Sequence, residues 1–267
     1  MVDTATLRFC FELDETQDVQ AWGESGRKSL HWFGLTSGRF WIETPAGELL
    51  RYTPEVRTLW NYPFDYVDYQ VARLFEDLQS CLSAALEPVP EDIALLVANS
   101  AWLDSVHSWR EEECDQSEVD SRWNLYESAV SWWHEREIDT GYLSHGPWFS
   151  IWCTGDLVHF RWTTRNNQDR GVPIFLVPSG YFSMTLAEFK SAACGFCETV
   201  LATMSVRVEH IKRHGWTRTD CEIDVGALLS EQRQRENQFS ILKNRTSATN
   251  WDEIRLHLKL LVARVNS

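Results

Sequence analysis

Hydrophobic and polar positions along the chain follow two periods, which divide it into strand-like and helix-like stretches. In its first fifty residues the apolar positions alternate, as in strands that are buried on one face. This pattern predicts four strands, at 7–13, 30–35, 39–44 and 45–52. The second and third surround a glycine-bearing turn and form a predicted β-hairpin.

From Asp65 onward the apolar residues recur every three or four positions, which is typical of helices packed on one side. The first predicted helix runs to about Leu82 and is stopped by two prolines, Pro88 and Pro90. A second should extend from about Glu91 to Glu112, and a third should begin at Ser117.

The strand pattern returns after Gly141 and predicts four further strands, at 147–154, 157–164, 171–177 and 180–185. A long helix should follow from about Leu186, because Thr185 and Glu188 have the spacing of a capping box. The segment EQRQREN near residue 234 reads as polar, and a last helix should begin at Trp251 after Asn250.

These elements predict an α+β fold, in which antiparallel sheets are packed by long helices. A strand-turn-strand unit leading into a long helix occurs at 29–84 and again at 148–213. The repetition suggests two similar halves, although chance explains it equally well. We expect one α+β domain over 1–215, with possible halves 1–140 and 141–215, and a helical C-terminal extension, 216–267, packed on it.

Aromatic residues are abundant, with fourteen tryptophans and 13% aromatics overall. Such side chains bury large areas, so extended aromatic clusters between sheets and helices are expected. The aromatic residues of the predicted strands are the candidates: Trp32, Phe33, Phe40, Trp41, Trp148, Trp152 and Trp162. An aromatic ligand pocket formed by some of them is the alternative.

The chain is acidic, with 25 basic and 39 acidic residues and a net charge of −14. This charge argues against sequence-independent binding to nucleic acids or anionic membranes, which requires a basic surface. Residues 87–139 hold 14 acidic and three basic side chains, a net of −11. The acidity is therefore concentrated in the predicted helical region.

Seven scattered cysteines, an odd number, do not form a disulfide framework. The N-terminal residues are charged and strand-like rather than a secretion signal, and no apolar run has transmembrane length. We expect a cytoplasmic protein with reduced thiols.

Cys194, Cys197, His210 and His214 have the spacing of a Cys2His2 zinc finger. An apolar stripe with steps of three and four passes through both pairs, however, and this favours a single helix ending near Gly215. Along a helix with a rise of ~1.5 Å per residue, Cys197 and His210 would lie roughly 20 Å apart. One ion cannot bind both, so no metal or other cofactor is expected.

Sequence motifs of common enzymes are missing. The chain has no G-x-S-x-G, no P-loop and no G-x-G-x-x-G, and His134-Glu135 lacks the second histidine of H-E-x-x-H because position 138 is Ile138. His31, His107, His145 and His159 are isolated in the sequence. Only the fold can bring them together.

An acidic cluster between the second and third predicted helices is the candidate partner-binding site. It consists of Glu111, Glu112, Glu113, Asp115, Glu118 and Asp120, with Trp109 and Trp123 as neighbouring aromatic anchors. A solvated turn is the simpler interpretation. The functional one is a docking surface, because acidic charge steers a basic partner and tryptophan is enriched in interface hot spots.

The segments HWFGLTSGRFWI, YVDYQVARLFEDL and EREIDTGYLSHGPWFSIWCTGDLVHFRW resemble an uncharacterised bacterial domain family. The similarity covers most of residues 1–205. It implies a bacterial cytosolic origin and adds no catalytic residues, since the family has no assigned chemistry.

Together these observations predict a non-catalytic cytosolic binding protein, specifically an immunity-type inhibitor that neutralises a cognate bacterial toxin. Its expected partner is a basic protein, with neither nucleic acid nor membrane involved. Two alternatives are open. One is a hydrolase whose carboxylate and histidine groups come from distant parts of the chain, and the other is a small-molecule sensor with an aromatic pocket.

Overall fold

A computed structural model describes residues 7–24, 27–98, 100–112 and 115–265, and it confirms the α+β class. The strands are β1 (Arg8–Leu13), β2 (Ser37–Thr44), β3 (Gly47–Leu49), β4 (Val67–Gln70), β5 (Glu137–Asp139), β6 (Trp148–Thr154), β7 (Leu157–Thr163), β8 (Gln168–Asp169), β9 (Val172–Pro173) and β10 (Ser179–Thr185). The helices are α1 (Pro54–Trp60), α2 (Val71–Ala85), α3 (Glu91–Ala98), α4 (Ser100–Glu111), α5 (Gln116–His134), α6 (Leu186–His214), α7 (Val225–Leu242) and α8 (Trp251–Val265).

The strands form two four-stranded antiparallel sheets and one short two-stranded ribbon. In the first sheet β2 is central, with β1 along one edge and both β3 and β4 along the other. In the second the order is β10-β7-β6-β5. In both sheets the last strand in sequence, β4 or β10, continues without a loop into a long helix, α2 or α6.

The main core lies where the two sheets meet α2 and α6. Helix α2 packs on β5 and β6 as well as on its own sheet, and α6 packs on β1 as well as on β7 and β10. The series β1-β2-β4-α2 therefore resembles β6-β7-β10-α6 in connection and pairing. An origin of the two halves by duplication stays a prediction, as do the proposed domain boundaries.

A second cluster of buried side chains forms a helical layer made by α3, α4, α5 and α8. Tyr126, Trp132 and Trp133 of α5 are among its largest members, and Leu258 and Leu261 of α8 belong to the same cluster. Strand β6 contributes Trp152 to this cluster. The second sheet is thus covered by α2 and α6 on one face and partly by the helical layer on the other.

The prediction that residues 30–35 form the first strand of a hairpin is wrong, because this segment does not pair as a strand. It leads into a short 3-10 turn, Gly34–Thr36, and only then into β2. Its alternating apolar residues are buried by helices instead. Trp32 is fully buried, and its Nε1 donates a hydrogen bond to Oε1 of Gln232 in α7 at 2.6 Å.

Other elements also differ from the sequence predictions. Residues 67–70 form β4 and the helix begins at Val71, because these four residues pair with β2 before the helix starts. Only Val172–Pro173 of the predicted strand 171–177 pairs, and it does so with β8. The polar segment EQRQREN lies within α7. The predicted helix 91–112 is described as α3 and α4, and Asn99 between them lies outside the described residues.

Helix α6 confirms the prediction of one continuous helix through the zinc-finger-like spacing. Thr185 Oγ1 accepts from the Glu188 amide at 3.2 Å, and Glu188 Oε2 accepts from the Thr185 amide at 2.8 Å, which completes a capping box. Within the described ranges no three His, Cys, Asp or Glu side chains group as metal ligands. Of the helices in those ranges, none has both the length and the apolar character needed to cross a bilayer.

Candidate functional site: an acidic ridge and a two-part cleft

The predicted acidic cluster lies where α4 ends and α5 begins. We call Glu111, Glu112, Asp115, Glu118 and Asp120 the acidic ridge, and all five side chains are exposed. Glu113, the sixth predicted member, lies outside the described residues. The ridge therefore presents at least five carboxylates to solvent on one corner of the helical layer.

Two arginines pair with part of the ridge. Arg122 lies 3.8 Å from Glu112 and 3.7 Å from Glu118, and Nη2 of Arg110 lies 2.9 Å from Oε1 of Glu111. Exposed pairs of this kind contribute about 0–1 kcal/mol each and do not cancel the field of the remaining charges. Five carboxylates against these two guanidiniums leave an excess of three negative charges.

The two predicted tryptophan anchors have different environments. Trp109 is 9% exposed and packs in the helical layer, with the Arg122 guanidinium 5.2 Å from its ring centre. Trp123 is 50% exposed and lies one turn along α5 from the ridge. Only Trp123 therefore offers an indole surface to a partner, whereas a partner would meet Arg122 in front of Trp109.

A second polar region, which was not predicted from the sequence, lies on the outer face of the second sheet. Four side chains follow one another directly across its strands: Glu137 of β5, Ser150 of β6, Arg161 of β7 and Tyr181 of β10. Because alternate residues of a strand point to opposite faces, Val158, Phe160 and Trp162 of β7 enter the main core while His159 and Arg161 face the helices.

Two cavities lie between this face and the helical layer, and together we call them the cleft. The aromatic cavity, of 730 Å³, is lined by Trp152, His159, Tyr181 and Leu95 among others. The polar cavity, of 610 Å³, is lined by His107, Tyr126, His134 and Glu137 among others. Arg161 and Thr163 line both, so the two cavities meet at these residues.

A chain of hydrogen bonds runs through the polar cavity. Tyr126 Oη lies 3.2 Å from His107 Nδ1 and 3.1 Å from His134 Nε2, and His134 Nδ1 lies 3.0 Å from Glu137 Oε2. With Glu137 ionised, His134 donates from Nδ1 to it and accepts from the Tyr126 hydroxyl at Nε2. This network fixes the tautomer and orientation of His134.

Burial sets the protonation of two members of this chain. It raises the pKa of Tyr126 to about 12, so the hydroxyl keeps its proton at neutral pH. Burial, assisted by the nearby Arg110 charge, lowers the pKa of His107 below its ordinary value. The hydrogen bonds thus join two imidazoles, a phenol and a carboxylate, which are groups that general acid–base sites use.

In the aromatic cavity three rings form a compact cluster. The ring centre of His159 lies 5.0 Å from that of Trp152 and 5.9 Å from that of Tyr181, with interplanar angles of 20° and 14°, and the centres of Trp152 and Tyr181 lie 6.2 Å apart. Both ring nitrogens of His159 have partners, Thr154 Oγ1 and Tyr181 Oη, each at 2.6 Å. His159 is thereby held rigidly, and burial lowers its pKa.

Arg161 lies between the cavities and is a partly buried cation. Its Nη1 donates to the Val97 carbonyl at 3.1 Å, and its guanidinium lies 5.3 Å from the Trp152 ring centre. Burial lowers its pKa from the ordinary arginine value. No carboxylate of the described residues lies within ion-pair distance of it, and Val97 is its one hydrogen-bond acceptor in that part of the chain.

The fold and the cleft define an α+β protein with an acidic surface and, adjoining it, a concave site between a sheet and a helical layer. More specifically, the chain belongs to DUF5984, a family of unknown function, whose model matches residues 8–257. This confirms the resemblance to an uncharacterised domain family. No curated protein and no solved structure matches the chain.

Proposed function

We propose that the protein is a non-catalytic, cytoplasmic binding protein of the immunity type, which neutralises a cognate bacterial toxin. The acidic ridge is the surface that captures the toxin. The observation that carries this proposal is the set of five exposed carboxylates beside the half-exposed Trp123 on one corner of the helical layer.

Charge complementarity indicates the chemistry of the partner. A toxin that cleaves nucleic acid must hold a polyanion, so its substrate-binding surface is basic. The ridge offers such a surface an excess of negative charge, within a chain of net charge −14. Long-range attraction then accelerates association and penalises acidic competitors.

Trp123 supplies the short-range part of the interface. Its indole is exposed, and Arg110 lies 5.6 Å from its ring centre. Tryptophan is among the residues that carry most binding energy when a partner excludes water from them. In this proposal the carboxylates of the acidic ridge govern the association rate of the partner, and the Trp123 indole governs its dissociation rate.

The test first seeks a toxin among the products of the genes beside that of this protein, and it then measures association by stopped flow at low and high salt. Charge reversal at Glu112 and Asp120 should slow association about tenfold at low salt, and the effect should shrink at high salt as the charges are screened. Glu198→Lys, at an exposed carboxylate on α6, is the matched control. Equal association rates for ridge and control variants would remove the ridge from the interface.

Trp123→Ala should leave the association rate nearly unchanged and raise the dissociation rate about tenfold or more, as expected for an anchor. Because the side chain is half exposed, the variant should fold normally, which circular dichroism checks. A dissociation rate equal to that of the original protein would show that Trp123 lies outside the interface.

A hydrolase is the second candidate, and the His107–Tyr126–His134–Glu137 chain favours it. Here His134, oriented by Glu137, would act as the base that activates water once a bound substrate displaces the Tyr126 hydroxyl from its Nε2. Hydrolysis of p-nitrophenyl acetate and p-nitrophenyl phosphate measures this directly. If the protein is a hydrolase, it should cleave one of these esters, His134→Ala should abolish the activity and His145→Ala should retain it. Equal background rates for the original protein and both variants would eliminate the hydrolase as a candidate.

A further inference from the structure

We propose that the cleft is a binding site for a small organic anion that combines an aromatic ring with a phosphate or carboxylate group. The ring occupies the aromatic cavity, and the anionic group lies at Arg161, where the two cavities meet. This site adjoins the acidic ridge at Glu111, which lines the polar cavity, and it does not depend on a protein partner.

The size and lining of the cleft suit such a ligand. Its parts measure 730 Å³ and 610 Å³, and each lies within the range of small-molecule pockets. One part is aromatic and apolar, while the other carries hydroxyl, imidazole and charged groups. A molecule with a flat apolar end and a charged end therefore finds a matching environment for both.

The ring site follows from the wall of the aromatic cavity that Trp152, His159 and Tyr181 form. Tyr181 is 54% exposed although it contacts His159, and Leu95 of α3, which lines the same cavity, is 68% exposed. Large apolar surfaces that line one cavity lose contact with water when a flat ring fills the space. His159 itself is held by Thr154 and Tyr181, so the wall is formed before the ligand arrives.

The anion site follows from the distribution of charge around the polar cavity. Three carboxylates and three guanidiniums line it. Glu111 is paired with Arg110, and Glu137 accepts hydrogen bonds from His134 and Ser150. Asp104, the third carboxylate, is exposed and lies outside ion-pair distance of both remaining arginines, Arg161 and Arg165.

Arg161 and Arg165 thus have no carboxylate within ion-pair distance in the described part of the chain. Arg161 is the more informative, because a partly buried cation is costly unless an anion or hydrogen-bond acceptors satisfy it. One protein acceptor, the Val97 carbonyl, leaves most of its five N–H donors for the cavities. A phosphate or carboxylate supplies the missing acceptors, and two such bonds form at once with a planar guanidinium.

The first test uses a pair of fluorescent probes that differ in charge. 8-Anilino-1-naphthalenesulfonate has an aromatic body with an anionic group, and N-phenyl-1-naphthylamine is its neutral counterpart. We expect saturable binding of the anionic probe to the native protein with one site per chain. The neutral probe should bind at least tenfold more weakly. Equal affinities, or no saturable binding of the anionic probe, would overturn the proposal.

Substitutions place the probe at the cleft. Arg161→Gln should weaken binding of the anionic probe about tenfold or more, because a charge-assisted hydrogen bond is lost. Arg165→Gln, at an exposed residue, should weaken it about threefold. Arg213→Gln, at the exposed end of α6, is the control and should leave binding unchanged. If Arg161→Gln does not fold, the test rests on Arg165→Gln. An affinity of the Arg165→Gln variant for the anionic probe equal to that of the Arg213→Gln control would contradict binding at the cleft.

Competition identifies the anionic group. Adenosine monophosphate and indole-3-acetate are added against the bound anionic probe, with adenosine and indole as their neutral controls. Displacement by the nucleotide alone assigns a phosphate, and displacement by the indole acid alone assigns a carboxylate. Displacement by both shows that either group is accepted. Displacement by neither, or equally by the neutral controls, would overturn the ligand class.

Discussion

Glu87 and Arg136 form an ion pair in the interior, with 2.7 Å between Oε2 and Nη2. Arg136 is fully buried and Glu87 is 6% exposed. Glu87 also accepts hydrogen bonds at 2.6 Å from both the amide and the hydroxyl of Thr249, which precedes α8. One carboxylate thereby connects the ends of α2 and α5 with the start of the last helix.

Replacing Glu87 by Gln should destabilise the protein by about 3–5 kcal/mol, because the buried Arg136 loses its compensating charge. Urea unfolding followed by tryptophan fluorescence measures the change. Asp92→Asn is the matched control, since Asp92 pairs with Arg255 at 2.8 Å on the surface. The control should shift stability by less than about 1 kcal/mol, and similar losses in both variants would contradict the role of the buried pair.

Two glycine-to-alanine substitutions should have opposite effects. A Cβ at Gly180 would lie 2.2 Å from the ring of Trp162, which is buried on the neighbouring strand, so Gly180→Ala should cost about 1–3 kcal/mol. A Cβ at Gly195, within α6, meets no atom closer than 4 Å. Gly195→Ala should therefore stabilise by about 0.5–1 kcal/mol.

Denaturant midpoints of the two alanine variants, compared with the original protein, check both signs. A loss of stability for Gly195→Ala would show that α6 is interrupted there. No loss for Gly180→Ala would show that the strand pair of β7 and β10 relaxes easily around Trp162.

Asp77 should make stability depend on pH. Burial raises the pKa of this carboxyl from 3.8 to about 6, although Arg73 lies 3.5 Å away and opposes the shift. The folded state then binds more protons than the unfolded state between these values, so the contribution of Asp77 to stability is present below pH 4 and is lost as the pH rises through 6.

Asp77→Asn removes this titration. Its stability relative to the original protein should rise from pH 4 to pH 7 and then stay level, with a final gain of about 1–3 kcal/mol. Urea unfolding at several pH values measures the difference, with Asp156→Asn in the exposed β6–β7 turn as control. A difference that falls with pH would have the wrong sign for this mechanism.

Treatment with a metal chelator should leave the stability of the protein and the structure of α6 unchanged. Cys197 is buried against the main core, whereas His210 and His214 lie at the far end of the helix. We expect no stoichiometric zinc in the purified protein and no shift of the melting temperature with a chelator. A chelator-sensitive zinc ion that is lost in His210→Ala and His214→Ala variants would contradict the helical geometry.

Elements whose apolar residues recur with one clear period were predicted well from the sequence. Helix α6 has both a capping box and a stripe of apolar residues over its whole length, and the β6–β7 hairpin alternates around a glycine turn. The errors arose where apolar residues are buried for other reasons. Residues 30–35 alternate because Trp32 and Leu35 fill the core from a loop, and β4 has residues at helical spacing although it pairs with β2.

The acidic ridge was visible in the sequence because its members are contiguous, whereas only three residues of the cleft, Trp148, Trp152 and Trp162, were among the candidates for an aromatic pocket. The cleft residues come from α3, α4, α5, β5, β6, β7 and β10, and only the packing of the helical layer on the sheet brings them together. One signal was present in β7. A strand buried on both faces should be apolar throughout, yet β7 places His159 and Arg161 opposite its core residues.

The helical layer is assembled from parts that are far apart in the chain. Its tryptophan-rich helices α4 and α5 precede the strands they cover, and α8 adds Leu258 and Leu261 only after α6 and α7. During synthesis on the ribosome, Trp132 and Trp133 therefore emerge before the surfaces that shield them exist. The nascent chain exposes these apolar side chains until α8 has been made, so its yield in the cell should depend on chaperone capacity more than its final stability suggests.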